Sequence, residues 1–132
     1  MYKATKINHV TILVKDKEKT EKFFTEILGL EKISVGESLW IKIGDQYVHI
    51  SNNSGAPVSN TFYHFAIEYE NLSDVIKGII EKGIDVFDLD KEIRPISINS
   101  EFNKEGRQFF VRDYDGNLIE LIDSGNKFFN PQ

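Results

Sequence analysis

The sequence predicts an α+β fold built from two copies of one strand–helix–strand–strand–strand module. Two pairs of segments align between the halves: 8–14 with 63–69, and 44–50 with 115–121. In both halves the first aligned segment is followed by an apolar helical pattern that a glycine ends. The spacing agrees as well, since Gly29 follows His9 by 20 positions and Gly83 follows His64 by 19. We therefore expect one domain over residues 1–132, with modules at 1–58 and 61–124.

The first module is predicted to run β-α-β-β-β. Residues 7–14 alternate with β-branched side chains, which is typical of a strand. Asp16 is placed to cap a helix and Gly29 to end it. The helix is expected to bury the apolar side chains that recur at helical spacing: Phe23, Phe24, Ile27 and Leu28. Further strands are predicted at 30–35, 40–43 and 47–50, with a hairpin turn at 44–46.

The second module repeats this order after a polar linker at 51–60. A strand is predicted at 62–69, and Asn71 or Ser73 is placed to cap the helix that Gly83 ends. Its expected apolar positions are Val75, Ile76, Ile79 and Ile80. Strands follow at 84–87, 109–112 and 118–122, the last two joined by a turn at 113–117. The polar segment 88–106, which contains Pro95, accounts for 16 extra residues and is predicted to be a functional loop.

Composition limits the classes of function. The chain has no cysteine, which excludes disulfides and thiolate ligands and suits a cytoplasmic protein. Its net charge of −5, with no basic run, makes nucleic acid an unexpected partner. No targeting segment or membrane span is predicted. We expect a cytoplasmic protein with a small-molecule partner.

The repeat also superimposes side chains that bind metals. His9 aligns with His64 and His49 with Glu120, so all three histidines of the chain take part. A pseudo-twofold axis between the modules would gather these four groups at one place. Imidazole and carboxylate ligands suit Zn, Ni, Mn, Fe or Co, and a carboxylate among apolar residues is costly to bury unless paired. The alternative is that the histidines form local hydrogen bonds and Glu120 faces solvent.

The chain resembles the vicinal oxygen chelate superfamily, which includes glyoxalase I, bleomycin-resistance proteins, fosfomycin-resistance thiol transferases and extradiol dioxygenases. The matching segments are 7–10, 28–30, 63–66 and 110–121, with Tyr114 where proline is common. The resemblance implies an open half-barrel sheet with helices outside and, in many members, a homodimer. It implies a metal held by His9, His64 and Glu120. His49 matches the fourth ligand of glyoxalase I, which is commonly Glu.

The resemblance further implies that Glu120 moves a proton on a substrate that chelates the metal through two vicinal oxygens. Trp40, Phe110 and Arg107 are the candidate substrate-binding residues. The alternatives are core packing for Trp40 and Phe110, and a solvated surface position for Arg107.

A glyoxalase-I-like lyase or isomerase is the leading hypothesis for function, because position 49 carries a fourth donor. A fosfomycin thiol transferase is a second hypothesis, although Phe110 and Phe129 replace a tyrosine and a basic residue of that group. A small extradiol dioxygenase would use the same three ligands with iron. A non-enzymatic drug-binding protein of the bleomycin-resistance type would lack the metal.

Overall fold

The fold is described for residues 2–53, 55, 62–98 and 108–125 in a computed structural model of the chain. The chain divides into two compact units, Met1–Pro57 and Val58–Gln132. One unit holds a four-stranded sheet and the other a five-stranded sheet, and each has a helix. The predicted α+β class is therefore confirmed.

The first unit has the predicted β-α-β-β-β order. Its elements are β1 (His9–Val14), α1 (Lys17–Lys22), a π-helical segment (Phe23–Ile27), β2 (Glu31–Val35), β3 (Ser38–Ile43) and β4 (Gln46–Asn52). The sheet order is β1-β4-β3-β2, and β1 runs parallel to β4. Because β4 continues through Asn52, the polar linker begins later than predicted; its residues 54 and 56–60 lie outside the described part of the chain.

The helix of the first unit begins and ends at the predicted residues. The Asp16 carboxylate accepts hydrogen bonds from the backbone N–H groups of Glu18 and Lys19, which satisfies two free donors of the first turn. Gly29 has φ +69°, a conformation that glycine adopts without a steric penalty. The unpredicted feature is the π-helical segment, where the backbone N–H of Leu28 donates to the carbonyl of Phe23.

The two faces of the first sheet differ in burial. Leu39, Ile41, Val48 and Ile50 are buried on one face of β3 and β4. Side chains of this size each stabilise the fold by about 1.5–3 kcal/mol when fully buried. Trp40, Tyr47 and His49 alternate with them on the opposite face and are only half-buried. The candidate site residues thus lie on the face of the sheet that is not the core.

The second unit contains one strand more than predicted. Its elements are β5 (His64–Tyr69), α2 (Leu72–Glu81), β6 (Phe87–Leu89), β7 (Pro95–Ser97), β8 (Phe109–Arg112) and β9 (Leu118–Asp123). The sheet order is β5-β9-β8-β6-β7, which is the order of the first sheet with β7 added at the edge. The predicted β-α-β-β-β order is therefore present in β5, α2, β6, β8 and β9, and β7 is an additional edge strand.

The additional strand arises in the segment predicted to be a loop. One carboxylate oxygen of Asp90 accepts hydrogen bonds from the backbone N–H groups of Glu92 and Arg94, which tightens the turn and folds β7 back onto β6. Ile93 in this turn has φ +64°, which is strained for a β-branched residue. The predicted strand at 84–87 is displaced to Phe87–Leu89, and residues 99–106 of the insertion lie outside the described part of the chain.

The helix of the second unit has a narrower apolar face than predicted. Leu72, Ile76 and Ile79 are buried, whereas Ile80 is 49% exposed. Asn71 occupies the N-cap position, but its side chain makes no capping hydrogen bond. Gly83 follows the helix with φ +83°, as predicted.

The two modules share one strand register, which confirms the internal repeat. His9 pairs with Tyr47 across β1 and β4, as His64 pairs with Leu118 across β5 and β9. Two residues further along, His49 and Glu120 take equivalent places opposite Thr11 and Ala66. His9 is thus equivalent to His64, and His49 to Glu120, within their respective sheets.

Candidate metal centre

His64 and Glu120 form the polar centre of the second unit. Nε2 of His64 lies 3.0 Å from Oε1 of Glu120, across the parallel strands β5 and β9. The two side chains are 18% and 5% exposed, so the pair is largely screened from water but can still be reached from outside. Two ligands that bind one ion at right angles, each about 2.1 Å from it, are ~3 Å apart. The contact therefore has the spacing of adjacent metal ligands.

Hydrogen bonding places the His64 ring in a suitable orientation for a metal. Nδ1 lies 2.6 Å from the carbonyl oxygen of Phe62, while Nε2 faces the Glu120 carboxylate. A neutral imidazole carries one N–H and can satisfy only one of these acceptors. With the proton on Nδ1, the lone pair of Nε2 points toward Glu120, as in histidines that bind metals through one nitrogen and donate from the other.

The surroundings of Glu120 give a second indication of a cation site. Its Oε2 atom is buried and has no hydrogen-bond partner among the described residues. Phe110 lies directly opposite on β8, and Leu118 and Ile122 are buried on the same strand at alternate positions. A carboxylate in such apolar surroundings is costly unless a positive charge compensates it. A divalent ion fits this donor set.

The first unit places an aromatic group at the equivalent location. His9 is exposed, and its Nδ1 lies 2.9 Å from Oδ1 of Asn8. The His9 ring meets Trp40 edge to face with the centroids 4.9 Å apart, and its centroid lies 6.4 Å from that of His49. His49 itself stacks on Trp40 at 4.3 Å, with 11° between the ring planes.

The four predicted donors are thus found as two pairs. Among the described residues, no cluster of three or more His, Asp or Glu side chains is arranged to hold a metal. The structure brings His64 onto Glu120 and places His9 beside His49 within the first unit. The complete set of four remains a prediction.

The predicted substrate residues have different outcomes. Phe110 is fully buried, and its ring meets His64 edge to face with the centroids 5.3 Å apart. Trp40 is half-buried beside two histidines. Arg107 lies outside the described residues.

Sequence reasoning missed two aromatic residues of the second unit. The Phe62 ring lies 4.7 Å from that of His64, and Phe87 stacks on Phe110 at 6.2 Å. Phe62 is two positions before His64, a strand spacing that places both on one face and that was available as a signal. Phe87 offered no such signal, because its partner strand is 23 residues away in sequence.

The other features of the second unit are the β8–β9 hairpin and a cavity. Burial raises the pKa of Asp113, although the turn from Asp113 to Asn117 donates hydrogen bonds to its carboxylate. Burial lowers the pKa of Arg112. A cavity of about 700 Å³ is lined in part by Val86, Phe87 and Arg112, but neither His64 nor Glu120 lines it. The polar pair and the cavity are therefore separate features.

Several known proteins are similar to this chain in sequence or in fold. The fosfomycin resistance protein FosX of Listeria innocua is 29% identical over 125 residues, which cover 87% of this chain and 86% of that protein. A glyoxalase family protein from Bacillus anthracis has a similar fold, with a TM-score of 0.73 and 23% identity over 93% of this chain and 98% of the other.

FosX from Listeria monocytogenes, in a crystal structure with Mn(II) and sulfate, also has this fold. Its TM-score is 0.65 and its identity 21%, over 92% of this chain and 91% of the other. Among the described residues of this chain, no helix is long and apolar enough to cross a membrane. The family model of the Glyoxalase/Bleomycin resistance protein/Dioxygenase superfamily matches residues 6–83, more than half of the sequence. The chain therefore belongs to this superfamily.

Proposed function

We propose that the protein is a metal-dependent lyase or isomerase of the glyoxalase I type. Its substrate would be a small molecule that binds a divalent ion through two neighbouring oxygen atoms. The observation that carries the proposal is the contact of 3.0 Å between His64 Nε2 and Glu120 Oε1, with Glu120 Oε2 buried and unpaired among the described residues. Few buried polar atoms in folded proteins have no partner, and a bound ion would satisfy this oxygen.

His64 and Glu120 are the proposed ligands of the second unit, and His9 is the proposed third ligand. The third assignment rests on the equivalence of His9 and His64 in the repeat. Zn, Ni, Mn, Fe and Co all suit imidazole and carboxylate ligands. The Mn(II) complex of a FosX with this fold favours manganese as the first ion to test. The proposal allows the three ligands to come from one chain or from both chains of the expected homodimer.

Glu120 is the proposed proton carrier. A bound divalent ion supplies Lewis acidity that favours the negative charge developing on a substrate oxygen. Phe110 and Leu118 are buried beside Glu120, and its carboxylate would take up a proton from the carbon next to that oxygen. The Glu120 side chain is 5% exposed, and the rings of His64 and Phe110 meet edge to face with their centroids 5.3 Å apart.

The metal assignment is tested by elemental analysis of purified protein. We expect about one divalent ion per chain, its removal by EDTA, and its loss in His64→Ala and His9→Ala. Glu120→Gln should lose the ion as well, and Glu68→Gln is its matched control because Glu68 is exposed on β5 and has no hydrogen bond or ion pair with a proposed ligand among the described residues. Wild-type protein that contains no metal and is indifferent to EDTA would favour the non-enzymatic binding protein.

The reaction class is tested by hydrogen exchange at carbon. Metal-loaded protein is incubated in D₂O with small α-hydroxy ketones and the hemithioacetal of methylglyoxal, and exchange is followed by NMR. We expect exchange at the carbon next to the carbonyl for at least one substrate, and its loss in Glu120→Gln. Exchange that Glu120→Gln leaves unchanged would contradict the proposed role of Glu120.

Fosfomycin resistance is the second candidate function, and the 29% identity to FosX favours it. The expected observation is a change of the ³¹P signal of fosfomycin with Mn²⁺-loaded protein, measured with and without an added thiol. A dependence on the thiol would identify group transfer, despite Phe110 at the position where the transferases carry tyrosine. An unchanged signal in both arms would remove this candidate.

A further inference from the structure

The stacked pair of Trp40 and His49 is the feature of the first unit that the metal assignment does not explain. The two residues lie opposite each other on β3 and β4, with ring centroids 4.3 Å apart and planes 11° from parallel. The rings of His9 and Tyr47 stand nearly perpendicular to the indole, at 4.9 and 6.1 Å. Trp40 therefore lies at the centre of a cluster of four rings on one face of the sheet.

His49 is poorly placed to share an ion with His9. Two imidazoles that bind one ion at tetrahedral angles, with metal–nitrogen distances of about 2.1 Å, have ring centroids ~5 Å apart. The centroids of His9 and His49 are 6.4 Å apart, so the two rings do not have the spacing of adjacent ligands on one ion. Glu120, the equivalent of His49 in the second module, instead touches its histidine at 3.0 Å. The two modules have therefore diverged at this position.

Burial also separates the pair from the core. Leu39, Ile41 and Val48 are buried on one face of β3 and β4, and they account for the packing of the sheet. Trp40 and His49 lie on the other face, half-buried, and His9 beside them is exposed. An aromatic pair that contributed only to the core would be covered by apolar side chains on both sides.

We propose that the Trp40–His49 pair binds a planar, π-rich group of the substrate, an aromatic ring or a conjugated carbonyl, and that His49 is not a fourth metal ligand. This inference rests on the proposed function, because a substrate on an ion held by His9 would lie next to the indole, 4.9 Å from the His9 ring. Three protein ligands also leave the ion with open positions for both oxygens of the substrate. The proposed lyase or isomerase then depends on the His64–Glu120 pair and not on a fourth donor at position 49. Aromatic stacking of this kind increases affinity by up to about tenfold.

The test compares two ligands that differ only in the ring. 2-Hydroxyacetophenone and cyclohexyl hydroxymethyl ketone present the same pair of oxygens, one beside an aromatic ring and the other beside a saturated ring. Trp40 is the only tryptophan, so its fluorescence reports binding to metal-loaded wild-type protein directly. We expect the aromatic ketone to bind about tenfold more tightly and to quench the fluorescence.

Variants of the pair are measured by calorimetry, since they need no tryptophan. Trp40→Leu should bind the two ketones with affinities that differ by less than twofold. Trp40→Phe should keep most of the preference for the aromatic ketone. His49→Gln should keep about one metal ion per chain, whereas His9→Ala should lose it. If Trp40→Leu does not fold, the Trp40→Phe and His49→Gln variants still decide the question.

The possible results separate this inference from the proposed function. Equal affinities for the two ketones in the wild type, failure to bind either one, or an undiminished preference in Trp40→Leu would overturn the stacking assignment. Loss of metal in His49→Gln would make His49 a ligand after all. A wild-type protein without metal would instead refute the metalloenzyme, which elemental analysis detects independently of the ketones.

Discussion

Replacing Glu120 with Gln is expected to stabilise the metal-free protein while abolishing stabilisation by metal. The carboxylate is 5% exposed, and its Oε2 has no hydrogen-bond partner within the described part of the chain. An unsatisfied buried polar atom costs about 1–3 kcal/mol, and more when it is charged. Gln has nearly the same shape but no charge, and its amide N–H can donate to Nε2 of a neutral His64. We therefore expect Glu120→Gln to raise the free energy of unfolding in EDTA by about 1–3 kcal/mol.

The metal-loaded protein should respond in the opposite direction. A ligand at 100 times its Kd stabilises the folded state by about 2.7 kcal/mol, which corresponds to roughly 10 °C in Tm for a chain of this size. The wild type should gain this increment when Mn²⁺ or Zn²⁺ replaces EDTA. Glu120→Gln should gain little, because it has lost an anionic ligand. Residues at functional sites often lower the stability of a protein while they support its activity.

The assay is urea or thermal unfolding of the wild type, Glu120→Gln and Glu68→Gln, each measured once with EDTA and once with the metal ion. Glu68→Gln is the control, since Glu68 is exposed on β5 and its replacement should leave both states unchanged. A Glu120→Gln variant that is less stable than the wild type in EDTA would show that the carboxylate contributes net stability. An unchanged metal increment in Glu120→Gln would show that the ion binds elsewhere.

Three further predictions concern the fold. Burial raises the pKa of Tyr69 well above its ordinary value of 10.0, so above pH 10 the unfolded chain loses a proton that the folded chain keeps. The free energy of unfolding should therefore fall above pH 10 by up to about 1.4 kcal/mol per pH unit. An equally steep fall in a Tyr69→Phe variant would contradict this. Ile76→Ala should cost about 2–5 kcal/mol in urea unfolding, but Ile80→Ala, on the same helix and 49% exposed, well under half as much; equal costs would disprove the observed burial. Gly29→Ala, at φ +69° with open space around it, should lower the free energy of unfolding by about 1–2 kcal/mol. Gly78→Ala, inside α2, should raise it by about 0.5–1 kcal/mol. If Tm shifts in the same direction in both variants, the backbone conformations described for the two glycines are wrong.

The sequence was sufficient to predict the repeat and the pairing of its key residues. The equivalence of His9 with His64 needed only the alternation of strand residues and the position of the glycines. The register of β1 with β4 and of β5 with β9 confirms it. Asp16 as a helix cap was predictable for a local reason, because the cap depends on the next three residues alone.

The parts that were not predicted depend on contacts distant in sequence or on local backbone detail. Strand β7 is short and begins with Pro95, which removes a backbone donor and weakens the strand pattern. Its pairing with β6 depends on the turn around Asp90, whose carboxylate binds two backbone N–H groups. The stacking of His49 on Trp40 was not accessible either, because spacing along a strand gives the face on which a side chain lies but not its rotamer or its contact with the neighbouring strand.

The divergence between the modules gives the duplication a functional logic. Equivalent positions hold a carboxylate against an imidazole in the second unit and an imidazole against an indole in the first. The first combination has the carboxylate and the unpaired oxygen that would suit an ion, and the second has the aromatic rings on which an organic group would stack. A duplicated scaffold provides both with the same strand register, so under the proposed function one copy would keep the ion while the other changed with the substrate. On this argument, relatives that act on different substrates should vary more at positions 40 and 49 than at 64 and 120, and a set of relatives that varies at 64 and 120 while keeping 40 and 49 would contradict it.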